Sequence, residues 1–318
     1  LFVCLGVLYN CFSLLLFGRL VFGIGAEALQ IAVTKYLILW FGGFALNLSF
    51  GILVASMRLL YFVNMKYSDS LYHFMLKKFI AFPPLTASAA VLSIGVFVCF
   101  IGLLLSCILW IVDKNYSSNS TQAHENSQPQ SIEVTNLTKI KSMTPTFWIL
   151  SLFCFIFFQP FSSYNSISPL YFQLKYDYQT PRANSVLSTI SFSSILLSLT
   201  FGYITGKVGF VTLWLPLGTL ICLIGHAVHS VTFISPYYIV LIRALGSAIV
   251  CSSFWPSIKH VVSEKSVGIA YGIIHSIENL GLSISPMIIG FLLDNLGYYY
   301  VELYIQFCLS SIIFLNMA

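Results

Sequence analysis

An all-α membrane protein assembled from two parallel repeats is the fold this sequence predicts, on three observations. Of its 318 residues 58% are hydrophobic and only 8% charged, with a mean hydropathy of +0.89, a balance no soluble domain carries. Apolar runs of roughly 17–25 residues recur between polar or Gly/Pro breaks, the length that crosses a ~30 Å hydrocarbon layer. Third, the stretch from Val267 to Leu280 (Tyr271-Gly272, Ser276, Glu278-Asn279) echoes that from Leu46 to Leu59 (Phe50-Gly51, Arg58) at an offset of 221 residues.

The runs fall at 1–15, 17–39, 46–64, 86–112, 147–172, 185–205, 211–233, 236–262, 267–292 and 298–317, about ten spans. Arg19 and Arg243 each open the span before an echoed stretch, but three spans precede the Arg243 helix in its half and one precedes the Arg19 helix. The first half is therefore expected to lack two helices, and the spans present read as numbers three to twelve of twelve. Domains follow: an N-terminal bundle at 1–112, a Ser/Asn/Gln/Thr-rich linker at 113–146 with no apolar periodicity, expected disordered and cytoplasmic, and a C-terminal bundle at 147–318. The chain begins in mid-hydrophobe, as a fragment would.

With the linker on the cytoplasmic side, Lys114, Lys139, Lys141, Lys207, Lys259 and Lys265 face that side. Lys66, Lys77, Lys78, Lys175 and Arg182 face the other, a shallow positive-inside bias. The linker carries sequons at Asn115, Asn119 and Asn136; a glycan there would invert this topology. The net charge of +5 is spread over short loops with no basic-aromatic block, so nucleic acid is not an expected partner. All eight cysteines lie in apolar runs without CxxC spacing and read as free thiols. No GxSxG, HExxH or metal-ligand spacing occurs, so neither an enzyme, a cofactor nor a metal site is expected.

Two charges fall near mid-depth on neighbouring spans. Glu27 and Arg58 each sit roughly 15–18 Å into a run at ~1.5 Å per residue. A charge there costs at least ~2.5–3.5 kcal/mol unless paired or wet. Facing a cavity, the pair suits a zwitterion; facing each other, they form a structural ion pair locking two helices. Glu278 and Asn279 occupy the place that pseudo-symmetry relates to Arg58, on the opposite wall, where a carboxylate serves either proton coupling or a packing hydrogen bond. His275, His226 and His229 read as wet or interfacial. Trp255 in Phe254-Trp255-Pro256 reads as a mid-depth kink with an indole for a ligand or for packing. The polar, kinked stretch from Gln159-Pro160 to Asn165 reads as cavity lining, and Gly18, Gly23 and Gly25 as sites of close helix approach.

Gly18-Arg19 through Gly23, Gly25 and Glu27, Trp40-Phe41, Leu46-Asn47 with Phe50-Gly51, Trp255-Pro256, Gly268 with Tyr271-Gly272, Ser276-Ile277-Glu278-Asn279-Leu280-Gly281 and Leu293-Asp294 with Gly297-Tyr298 occur in this order. In them the chain resembles the major facilitator superfamily, in its domain-containing protein one branch of lysosomal dipeptide transporters, over nearly its whole length. The resemblance implies the major facilitator fold with about ten of twelve helices present. It also implies uniport of dipeptides, basic ones favoured, from lysosomal lumen to cytosol without proton coupling. Glu27 matches the acid and Arg58 the arginine that clamp the two ends of a dipeptide in that family, and a glycosylated single-span accessory protein is the implied partner. Two positions depart from the pattern: Gly206 replaces the usual Asp of the loop motif, and Glu278 stands where an amide is usual, which bears on substrate preference and coupling. Outside this reading stand a carrier for another organic solute, proton-coupled anion or sugar, and a membrane receptor or scaffold that moves nothing.

Overall fold

The computed structural model describes residues 1–78, 84–121, 143–263 and 266–317. Every regular element among them is a helix: α1 (Phe2–Leu8), α2 (Phe12–Trp40), α3 (Gly43–Lys78), α4 (Pro84–Thr121), α5 (Pro145–Tyr176), α6 (Thr180–Val208), α7 (Val211–Val231), α8 (Pro236–Val261), α9 (Val267–Leu296) and α10 (Tyr298–Met317). All but α1 contain a stretch long and apolar enough to cross a membrane, nine candidate spans among the described residues. Hydrocarbon leaves the backbone no solvent partner, so only helices satisfy every peptide group here.

The helices start and stop where local chemistry dictates. Thr144 caps α5, its hydroxyl accepting from the Phe147 N–H at 3.3 Å, and Pro145 follows at a position whose missing N–H costs nothing. The same hydroxyl donates to the Val261 carbonyl at 3.0 Å, tying the start of α5 to the end of α8. Gly209 and Gly297, at φ +73° and +88°, end α6 and α9 in backbone that a side chain would strain.

Two expectations change. The first run is not a span: Asn10, at φ 50°, breaks it, and the seven residues of α1 reach only ~10 Å. The linker does not begin at Asp113, because α4 continues through Thr121; residues 122–142, with Asn136, Lys139 and Lys141, lie outside the described residues, as does Lys265.

Contacts group the described residues into two compact units, those of Leu1–Ala26 with Tyr67–Leu137 and those of Glu27–Lys66 with Thr138–Ala318. This grouping cuts across the halves drawn at 1–112 and 147–318. In the first unit α1 packs on α4, and Gly18 lies against α1, where a Cβ would meet the Val3 backbone at 2.7 Å. In the second, α5 to α10 form a bundle in which α8 is the most enclosed, packed by α6 and α7, with α5 meeting α9 and α10. Small residues set the α7–α8 approach: a Cβ on Gly246 would lie 2.6 Å from Cys222 Sγ and 2.7 Å from the Gly218 carbonyl. Phe153 stacks on both Phe157 and Phe254 at 5.6 Å, an apolar column between α5 and α8.

The inner parts of α2 and α3 pack on this bundle at the end where α5 begins. There Gly51 meets α6 so closely that a Cβ would lie 2.9 Å from the Ser198 carbonyl and 3.0 Å from Gly202 Cα. Phe44 packs edge-on to Tyr203, 5.4 Å between centroids, and Lys259 donates to the Ile38 carbonyl at 3.3 Å. Gly206 faces the same helix, with Phe44 Cδ2 2.9 Å from where its Cβ would be. The Asp usual at that position has no room here.

Phe50 and Tyr271, one repeat offset apart in sequence, stack face to face with centroids at 6.4 Å and planes 6° apart. Among the described residues nothing lies within 4 Å of where a Cβ on Gly23 or Gly25 would be, so the close approach expected there is not made by them. Gly246→Val should accordingly cost about 1–3 kcal/mol of stability through overpacking, whereas Gly23→Ala should stay within about 0.5 kcal/mol. Thermal unfolding of the purified protein in detergent checks both.

Candidate functional site

A cavity of about 320 Å³ lies within the second unit, at the lower end of the ~300–1,000 Å³ range of small-molecule pockets. Each wall is one stripe of a helix at three- and four-residue spacing. From α3 come Phe50, Leu53, Val54, Met57, Arg58 and Tyr61, and from α5 Phe158, Phe161, Ser162, Asn165 and Ser166. Gln30 and Thr34 of α2, Cys251 and Trp255 of α8, and His275, Glu278 and Leu282 of α9 complete it. Of the polar stretch expected to line a cavity, Ser162 and Asn165 do so, while Gln159, Ser163 and Tyr164 are buried outside the lining and Pro160 lies within the continuous helix α5.

Arg58 is half-buried, its guanidinium carbon 5.5 Å from the centre of the Phe161 ring. Among the described residues no carboxylate forms an ion pair with it. Glu27 is half-buried one turn before Gln30 and is not among the lining residues, so the structural ion pair that would lock α2 to α3 is not formed. Asn279 is half-buried and likewise outside the lining, while its neighbour Glu278 is part of it.

Trp255 is 9% exposed and held on three sides. Its ring stacks on His275 at 4.6 Å and on Tyr271 at 6.3 Å, with Phe158 tilted against it at 5.9 Å. The Tyr271 hydroxyl donates to the Trp255 carbonyl beside Pro256. His275 Nδ1 lies 3.1 Å from Glu278 Oε2 and 3.4 Å from Gln30 Nε2. One nitrogen cannot donate to the acid and accept from the amide at once, so the imidazole tautomer sets which of the two contacts is a hydrogen bond. His275 is therefore not wet: it is 2% exposed, and its Nε2 has no partner among the described residues.

A second polar cluster sits deeper in the same unit, and sequence reasoning missed it. Glu302 of α10, fully buried, lies 2.6 Å from His226 Nδ1 and 2.8 Å from His229 Nδ1 of α7. The Lys175 ammonium, in the last turn of α5, donates to the His229 carbonyl. Arg243 lies 4.2 Å over the Tyr164 ring, 1% exposed. The histidines expected to be interfacial are thus interior, with a carboxylate near the start of α10 as their partner, and Lys175, counted with the loops, is buried. Glu302 carried no signal of its own, since it falls near the start of its run, where an acid ordinarily meets water.

The chain has measurable relatives. A model of the Major Facilitator Superfamily matches residues 1–286. The human protein named lysosomal dipeptide transporter MFSD1 is 29% identical over 306 residues, covering 96% of this chain and 65% of that protein. The chicken protein of the same name is 28% identical over 98% of the chain and 71% of its own length, and the zebrafish one 28% over 96% and 65%. The chain thus spans about two thirds of the length of these curated relatives.

Removing one partner from a buried ionic group leaves the rest uncompensated, at about 3–5 kcal/mol. Glu302→Ala should therefore lower the unfolding free energy of the protein by that order, read as a lower melting temperature in detergent, although the residue lines no part of the cavity.

Proposed function

Because this chain belongs to the major facilitator superfamily, we propose that it carries dipeptides across a membrane by alternating access, with Arg58 receiving the substrate carboxylate. The observation that carries this reading is Arg58 itself. A guanidinium at mid-depth in a cavity wall, with no carboxylate among the described residues paired to it, is costly unless an anion arrives. Its planar fork matches a carboxylate bidentately. A neutral sugar offers it no negative charge, and a cavity of about 320 Å³ with a largely apolar lining suits a small molecule rather than a protein partner.

The similarity to proteins named as lysosomal dipeptide transporters supports the substrate class, a multi-pass place in the lysosomal membrane, and export from lumen to cytosol by uniport. In that membrane the implied accessory protein is the proposed partner. The packing of α2 and α3 on α6 and α8, at the end where α5 begins, supports a cycle in which this end parts to release substrate.

Uptake of labelled Lys-Ala into proteoliposomes tests the reading. Losing a hydrogen-bonded charge at a desolvated site costs about 2–5 kcal/mol, so Arg58→Gln should reduce uptake at sub-saturating substrate by about 30-fold or more. Uptake equal to that of the native protein, with the variant folded, would remove Arg58 from the site; binding without flux would favour a receptor.

A further inference from the structure

At the end where α5 begins, one described contact between α2 and the bundle is made by a charge: the Lys259 ammonium, in the last turn of α8, donates to the Ile38 carbonyl of α2 at 3.3 Å. The acceptor is one that its own helix leaves in need. α2 ends at Trp40, and a helix holds no further N–H for its last four carbonyls. The Phe41 N–H answers Leu37 at 2.9 Å, and Ile38 is the next in line. Those carbonyls also form the negative end of the helix dipole, so a cation is favoured there. Ile38 is 8% exposed and Lys259 half-buried, and among the described residues no carboxylate forms an ion pair with the ammonium.

This contact differs in kind from those around it. Phe44 on Tyr203 and Gly51 on Gly202 gain by burying surface, which tolerates a small displacement, whereas a hydrogen bond weakens steeply with distance and angle. An ammonium is also strongly hydrated, so once the helices separate it recovers in water much of what it gives up. Its mount is fixed, because two residues further on the Val261 carbonyl accepts from the Thr144 hydroxyl at 3.0 Å and joins the end of α8 to the start of α5.

We propose that Lys259 sets the balance between the shut and parted states of this end: on the Ile38 carbonyl it holds α8 to the end of α2, and its release into water accompanies parting. The assignment rests on the alternating-access reading above. It makes Lys259 a positioning residue, since it is not among the residues that line the cavity. Removing its charge leaves the cavity wall as it is and opens a way to that wall, where the Cys251 thiol lies 5% exposed.

Cys251 therefore serves as the reporter. Proteoliposomes of one orientation are treated with a membrane-impermeant methanethiosulfonate from the face at which α5 begins, with Cys251→Ala as the blank. The native protein should label slowly. Lys259→Met keeps the apolar stem and loses the charge, and should label about tenfold faster or more, the shift expected when a hydrogen bond from a charged group is lost. Lys259→Arg, which still donates, should label at a rate between the two and stands in should the methionine variant not fold. A lysine that only stabilises the fold would instead lower the melting temperature and leave the labelling of the folded protein at the native rate, which overturns the assignment. Gly202→Leu is the comparison, because a side chain wedged against Gly51 parts this end whatever Lys259 does. Fast labelling of Gly202→Leu beside native-rate labelling of Lys259→Met removes Lys259 from this role and leaves the carrier reading standing. Slow labelling of every variant, with and without saturating Ala-Ala, shows an end that does not part and brings down the alternating-access reading, and this assignment with it.

Discussion

A cation inside a hydrocarbon layer must be given an anion, a π face or water, and the protein resolves this demand in two ways. Arg243 is sealed in the C-terminal bundle, its guanidinium carbon 4.2 Å from the centre of the Tyr164 ring and its nitrogens without a hydrogen-bond partner among the described residues. Arg58 is left at a cavity wall against Phe161, with no acid among the described residues upon it. Both arginines rest against an aromatic ring with no carboxylate in ion-pair contact among the described residues, and what separates them is that Arg243 is sealed in the bundle whereas Arg58 lines a cavity.

The remaining architecture serves that contrast. Glycines on α7 and α8 bring those helices into close contact, and the aromatic column of α5 and α8 packs on the side of the cavity nearer the start of α5. Trp255 packs on Tyr271 and His275, one turn apart on α9, and His275 in turn contacts Glu278.

Spans and family were legible because they rest on run length and residue order, which the chain displays directly. Arg58, Trp255 and Glu278 were legible because burying an isolated polar group within a long apolar run is costly, so its presence there points to a cavity. Glu302 was not: near the start of its helix it looks like an interfacial acid, and only the packing of α10 against α7 brings His226 and His229 to it. Gly23 and Gly25 failed for the complementary reason. A small residue permits contact without supplying the partner, and the glycines that do touch, Gly51 on Gly202 and Gly246 on Gly218, are paired across different helices, the first two far apart in sequence.

The closure beside the cavity is built from carbon and backbone. Phe50 lies flat on Tyr271, Gly51 on Gly202, Phe44 on Tyr203, and the one cation among these contacts, Lys259, is given to a neutral carbonyl. Such a latch is held by excluded water and dispersion, which electrolytes scarcely weaken, whereas a latch of paired ions loosens as the medium screens it. A carrier closed in this way answers to the shape of what fills it and hardly to the salt of the compartment on either side.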